Sequence, residues 1–293
     1  MNPWILAIRP RTLSAAIGPL LVGNILALQL EQFSWFIAFT SMLCAVLLQI
    51  AVNLANDYFD FKSGVDTAER VGPTRVTQSG MLSPTAVRNG MIFCLVLALL
   101  VGSFLIMHGG WPIALLALAA VLGALGYSGG PYPLASHGLG EIAAFVFFGL
   151  VAVVGSYFLQ ATETSTNAWL LGAAIGFLNA AIMLVNNTRD MDTDIKAGKK
   201  TMAVRVGLAQ ARIFYQSFIY LPFAIIIAGF LMGVIPGLPV LFAGLAFIVA
   251  RNLCRDFNDV TGAELNPLLG RTAKLTMLFS GLFSLGFAID LLF

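Results

Sequence analysis

Residues 34–62 read SWFIAFTSMLCAVLLQIAVNLANDYFDFK. The run 34–56 carries no charged side chain, and as a helix rising ~1.5 Å per residue it is long enough to cross ~30 Å of hydrocarbon. Asp57, Asp60 and Lys62 follow at once. If the helix continues to its end, Asn53, Asn56, Asp57 and Asp60 stand at i, i+3, i+4 and i+7 and share one face. The stretch predicts a membrane-spanning helix that ends in amides and carboxylates at the bilayer edge.

The rest of the chain repeats this pattern. Of its 293 residues 59% are hydrophobic and only 10% charged, against ~45–50% apolar and ~25% charged in soluble domains, which excludes a water-soluble globular protein. Nine spans can be drawn, at about 12–30, 34–56, 87–107, 111–128, 140–160, 167–188, 212–233, 236–252 and 272–292, as a single all-α transmembrane bundle over 1–293. An odd number puts the termini on opposite sides. With the N-terminus cytoplasmic, all 16 Lys and Arg fall at one face, as the positive-inside rule requires. The opposite turns, around Glu31, His108, Glu163 and Pro236–Pro239, contain none. Arg9 and Arg11 precede the first apolar run, and no small-residue cleavage site follows, so that run reads as a retained helix. The net charge of +2 gives no reason to expect a nucleic-acid partner. Cys44, Cys94 and Cys254 lack metal or disulfide spacing.

Two cytoplasmic segments are longer than connectors need to be, 57–86 and 189–211. Offset by 134 residues, Asn53 answers Asn187, Asn56 Asp190, Asp60 Asp194, Lys62 Lys196 and Gly64 Gly198. The match suggests two half-sites facing one another, by duplication or by convergent local chemistry. Clustered carboxylates at a membrane edge repel one another and need a compensating cation. Hard oxygen ligands without His or Cys suit Mg2+, which takes one or two carboxylates together with phosphate oxygens. Lys62, Arg70, Arg75, Lys196, Lys199, Lys200 and Arg205 supply donors for the same phosphate. Ordinary solvated ion pairs, worth ~0–1 kcal/mol, would account for one such cluster; a second with the same pattern argues for a site. Tyr127 and Tyr132 lie in a turn-rich loop and read either as an interfacial aromatic belt or as groups facing a substrate cation.

At these residues the sequence resembles the UbiA superfamily of intramembrane prenyltransferases. Asn56-Asp57-Tyr58-Phe59-Asp60 is similar to the opening of that family's first aspartate motif, and Asp190-Met191-Asp192-Thr193-Asp194 to its second. Gly64 stands where the family has a third acid, with Asp66 two places on, a departure that looks like the 1,4-dihydroxy-2-naphthoate branch of menaquinone synthesis. Residues 53–80, 138–141, 186–207 and 266–274 extend the likeness. The resemblance implies a nine-helix bundle and two Mg2+ ions that bridge the aspartate motifs to a polyprenyl diphosphate. It further implies prenyl transfer to 1,4-dihydroxy-2-naphthoate with loss of its carboxylate, in a bacterial plasma membrane. It assigns Asn53, Asp57, Asp60, Asp190 and Asp194 to metal and diphosphate, with Asn56, Asn187, Lys62, Arg75 and Lys196 as further substrate contacts. Arg9 or Arg11 would hold the acceptor's carboxylate, and Tyr127 or Tyr132 would shield an allylic cation. A 4-hydroxybenzoate acceptor is the nearest alternative, and a divalent-cation transporter the competing class. The Lys and Arg beside both clusters weigh against transport of a free cation.

Overall fold

The computed structural model describes residues 2–64 and 71–293. Its regular elements among the described residues are helices, in the order α1 (Pro3–Ile8), α2 (Pro10–Leu26), α3 (Trp35–Lys62), α4 (Pro84–Gly126), α5 (Gly140–Phe145), a π-helical turn (Val146–Val151) and α6 (Ala152–Ala161). The chain continues through α7 (Thr166–Arg189), α8 (Met191–Lys196), α9 (Met202–Leu231), α10 (Gly237–Gly244), α11 (Phe247–Asp259) and α12 (Asn266–Asp290). Local chemistry sets the starts. Ser34, Ser83, Ser165 and Thr201 each accept a hydrogen bond from a first-turn N–H of α3, α4, α7 and α9, satisfying a donor that the helix cannot.

The expected loops are shorter than drawn. Residues 57–62 stay in α3, and α4 begins at Pro84, so only 63–83 connects the two. Likewise 189–211 contains α8 and the first turns of α9, which breaks at Gly207 (φ 77°).

The count of nine spans is not reproduced by helix length and composition. Six helices among the described residues are long and apolar enough to cross a bilayer, and a seventh span exists if α10 and α11, bent by 40°, count as one. The difference has two causes. The apolar part of α2, Thr12–Leu26, is short, and the drawn spans 87–107 and 111–128 are two helical segments that meet at a non-helical Gly110 (φ 71°, ψ −158°) and count together as Pro84–Gly126. The chain reverses there. Phe104 stacks edge-on with Phe36 at the start of α3, whereas Met91 before the break and Gly129 after α4 lie against Leu54 and Phe59 near its end.

The largest core surrounds α7, whose Leu171, Ile175, Leu178 and Leu184 are fully buried beside Tyr215 of α9 and Phe279 and Phe283 of α12. A Cβ added to Gly149, in the π-helical turn, would lie 2.4 Å from Gly176 Cα. That backbone approach is open only to glycine and is a common way for membrane helices to pack. At the end of α3 remote from its acids, Gln160 Nε2 donates to Asn24 Oδ1 (2.9 Å) and to the Ser34 carbonyl (3.0 Å), while its Oε1 accepts from the Ser34 N–H (2.9 Å). This amide knot pins α2, α3 and α6 together.

Candidate active site

α2, α3, α4, the α5–α6 unit and α7 enclose a cavity of about 460 Å3. Its inner part is apolar, lined by Leu20, Leu48, Ala120, Phe147 and Phe148, and reaches Leu105, Ile113 and Leu159 near the amide knot. Its mouth is polar. One wall offers Asn53, Asn56 and Asp60 from α3, with Arg75 from the connecting loop; the other offers Asn186, Asn187, Arg189, Asp190, Asp194 and Lys199.

Each acid at the mouth has a cation beside it. Arg75 Nη2 donates to Asp60 Oδ2 at 2.8 Å. Arg189 grips Asp190 with Nε to Oδ1 (2.7 Å) and Nη2 to Oδ2 (2.6 Å), the planar fork that only arginine provides. Lys199 Nζ lies 3.8 Å from Asp194 Oδ1. Asp60, Asp190 and Asp194 are at most 9% exposed, so these pairs are poorly screened.

Asn53 donates through Nδ2 to the Ile8 carbonyl (2.7 Å) and to Thr12 Oγ1 (2.9 Å). It thereby clamps the corner between α1 and α2, where Arg9 adopts φ 54° and lines the cavity. Asn56 Oδ1 accepts from Ser128 Oγ (2.8 Å). Tyr127 Oη donates to Met183 Sδ (3.0 Å). Asn187 Nδ2 donates to Glu141 Oε1 (2.8 Å). Arg189 also reaches Asn186 Oδ1 and Asn266 Oδ1, and Asn266 Nδ2 donates to the Val71 carbonyl (3.1 Å). One guanidinium thus couples α7, α12 and the loop after α3.

Of the residues singled out from sequence, the cavity unites Arg9, Asn53, Asn56, Asp60, Arg75, Tyr127, Asn187, Asp190, Asp194 and Lys199. Lys200 and Arg205 lie outside its lining, and four others depart as well. Asp57, 1% exposed, turns away: its Oδ1 accepts from Thr77 N–H (3.0 Å) and its Oδ2 from Val76 N–H (3.2 Å). Consecutive helical residues sit ~100° apart, so a cavity centred on Asn56 and Asp60 leaves Asp57 facing the returning loop. Lys62 and Lys196 are exposed and outside the lining, because each falls at the last residue of its helix, beyond the mouth. Tyr132, 58% exposed, stacks on His137 at 3.5 Å instead of facing the cavity. Asp66, Arg70 and the Arg11 side chain lie outside the described residues.

In the sequence Arg189 reads only as one of the cytoplasmic charges. The signal was an arginine next to Asp190 and three residues after Asn186, a spacing that folds its fork back over both. Glu141, in the first turn of α5, is 1% exposed and bound to a cavity-lining amide.

Among the described residues no three His, Cys, Asp or Glu side chains gather closely enough to hold a metal by themselves. Acids and amides divided between two walls fit an ion that takes its remaining ligands from a phosphate and water, which is the habit of Mg2+. The all-oxygen donor set fits the same ion.

The model of the UbiA prenyltransferase family matches residues 16–282. The chain is 33% identical to a 1,4-dihydroxy-2-naphthoate octaprenyltransferase of Haemophilus influenzae, over 99% of this chain and 96% of that one. It is 40% identical to a protein of the same name from Mycobacterium tuberculosis, over 73% of each. Among solved structures, a UbiA homologue from Archaeoglobus fulgidus bound to GPP and Mg2+ superposes with a TM-score of 0.73 at 17% identity, covering 98% of this chain and 99% of that one.

Proposed function

The chain belongs to the UbiA prenyltransferase family, and from that premise we propose that it transfers a polyprenyl group from polyprenyl diphosphate to 1,4-dihydroxy-2-naphthoate. Carbon dioxide and diphosphate are released, and the prenylated ring leaves at the hydroquinone level, as demethylmenaquinol. The naphthoate acceptor is supported by the names of the bacterial relatives. The observation that carries the reaction is the cavity itself: acids and cations on two facing walls at the mouth, and an apolar interior behind them.

Mg2+, held by Asp60, Asp190 and Asp194 as two ions shared between the walls, would supply Lewis-acid stabilisation of the departing diphosphate. Arg75, Arg189 and Lys199 already point at these carboxylates, and they are placed to bind phosphate oxygens as charge grows on them. Interactions of this kind that strengthen as the allylic C–O bond breaks lower the barrier itself. The apolar interior excludes water from the allylic cation and receives the prenyl tail. Arg9, at the corner pinned by Asn53, binds the carboxylate of the acceptor. With its hydroxyl occupied by Met183, Tyr127 offers its ring to the cation. Cations around the mouth favour an anionic diphosphate over transport of a free metal ion. By the distribution of Lys and Arg the mouth opens to the cytoplasm of a bacterial cell, and the C-terminus lies across the plasma membrane.

The test is prenyl transfer by the purified protein with 1,4-dihydroxy-2-naphthoate or 4-hydroxybenzoate as acceptor. Product from the naphthoate alone supports the reading, and product from the benzoate alone replaces the acceptor.

A further inference from the structure

Glu141 is a buried acid for which the mechanism above has no use. It is 1% exposed, its Oε1 accepts from Asn187 Nδ2 at 2.8 Å, and its Oε2 is buried without a hydrogen-bond partner. Burying a carboxyl group with one oxygen unpaired is costly, and an apolar side chain of similar size would pack there more favourably. Its side-chain partner among the described residues is the amide that faces the site, since Asn187 lines the cavity and Glu141 does not.

That contact fixes the direction of an amide. An amide can turn either its NH2 or its carbonyl toward a neighbour, but a carboxylate oxygen only accepts, and the atom 2.8 Å from Glu141 Oε1 is Asn187 Nδ2. The Asn187 NH2 is therefore committed to Glu141, and Oδ1 is turned away from it. Among the described residues Oδ1 accepts no hydrogen bond. The other amides at the mouth are occupied differently: Asn56 Oδ1 by Ser128, Asn186 Oδ1 by Arg189, and Asn53 Nδ2 by the α1–α2 corner. The start of α5 is close enough to enforce the geometry, since a Cβ on Gly140 would lie 3.3 Å from Tyr127 Oη and 3.6 Å from Asn187 Nδ2.

We propose that Glu141 is a positioning residue that locks the Asn187 amide so that Oδ1 faces the cavity as the acceptor for a ring hydroxyl of the aromatic substrate. A hydroxyl that donates to such an oxygen becomes a stronger electron donor to its ring, which favours ring attack on an allylic carbon. The pair selects a hydroxylated aromatic acceptor and leaves the diphosphate untouched. The inference rests on the aromatic prenyl transfer proposed above.

The experiment is steady-state kinetics of purified Glu141→Leu, with 1,4-dihydroxy-2-naphthoate and farnesyl diphosphate varied in turn, alongside thermal unfolding. Replacing a half-satisfied buried carboxyl by an apolar group of like size keeps the fold. The acceptor KM rises about tenfold, the factor set by one lost hydrogen bond, while the farnesyl diphosphate KM moves less than about twofold. The second arm compares Asn187→Asp, which sets two carboxyl groups against each other, with the pair Glu141→Gln/Asn187→Asp. The pair restores a donor on one side and an accepting oxygen on the other, and returns the acceptor KM to within about threefold of wild type. An unchanged acceptor KM in folded Glu141→Leu, equal shifts in both KM values, or a pair no better than Asn187→Asp overturns the proposal. If Glu141→Leu does not accumulate, the pair decides. Absence of transfer by the wild-type protein instead overturns the reaction on which the proposal rests.

Discussion

Arg75 Nη2 sits 2.8 Å from Asp60 Oδ2, with both side chains almost wholly buried, so the loop after α3 is fastened to the cavity by one of the carboxylates that line it. Removing one partner of a buried pair leaves the other charge uncompensated. Arg75→Ala is expected to cost about 3 kcal/mol, whereas Arg75→Leu combined with Asp60→Leu regains most of that stability without regaining transfer. Thermal unfolding in detergent beside a product assay checks both outcomes.

Asp57 and Asp60 lie three residues apart but do different work. Asp57 accepts two backbone N–H bonds from Val76 and Thr77, and a hydrogen bond to a charged group is worth ~1.5–3 kcal/mol. Asp57→Ala is expected to cost about 3 kcal/mol and to open the loop at 71–83 to limited proteolysis. Asp57→Asn keeps one accepting oxygen and loses less. Titration of activity with Mg2+ separates the two positions: Asp60→Asn raises the metal concentration needed for half-maximal rate, and Asp57→Asn leaves it near wild type.

Much of this arrangement is legible in the chain. The uncharged run 34–56 followed by Asp57 and Asp60 identifies both the spanning helix and the end that carries chemistry, because a 3.6-residue period and a bilayer thickness leave little freedom. The opposing Asp190 and Asp194 are legible through their spacing. Asp57 is not, since one register step of about 100° decides whether a carboxylate meets the cavity or the returning loop, and that depends on how the loop packs. The same applies to Arg189 and Glu141, whose significance lies in contacts with Asn266, Asp190 and Asn187 across the bundle. The break at Gly110, by contrast, is marked in the sequence by Gly109, Gly110 and Pro112.

Arg9 adopts φ 54° and ψ 69°, a left-handed conformation that costs a non-glycine residue ~1–2 kcal/mol. Arg9→Gly relieves that strain while loosening the unfolded chain by a similar amount. Thermal stability is expected to stay within a few degrees of wild type, while the KM for the naphthoate rises about tenfold through loss of the guanidinium. An Arg9→Gly protein with unchanged acceptor KM would remove Arg9 from the site.

The backbone contact between Gly149 and Gly176 admits no added carbon. Gly149→Ala is expected to destabilise the bundle by about 2–3 kcal/mol through overpacking. A Gly281→Ala control, where a Cβ meets nothing within 4 Å, should change stability little. Parallel thermal unfolding of the two variants measures the difference.

We propose that both walls of one cavity act together in prenyl transfer. Formation of prenylated naphthoate by the purified protein, from farnesyl diphosphate and 1,4-dihydroxy-2-naphthoate, tests it with Mg2+ or with excess chelator, in wild type, Asp60→Asn and Asp194→Asn. Product is expected to depend on Mg2+, and the rate to fall at least about 100-fold in each variant, on the scale of losing a preorganised electrostatic contact to the transition state. Transfer that survives chelation, or that persists at the wild-type rate in either variant, contradicts it.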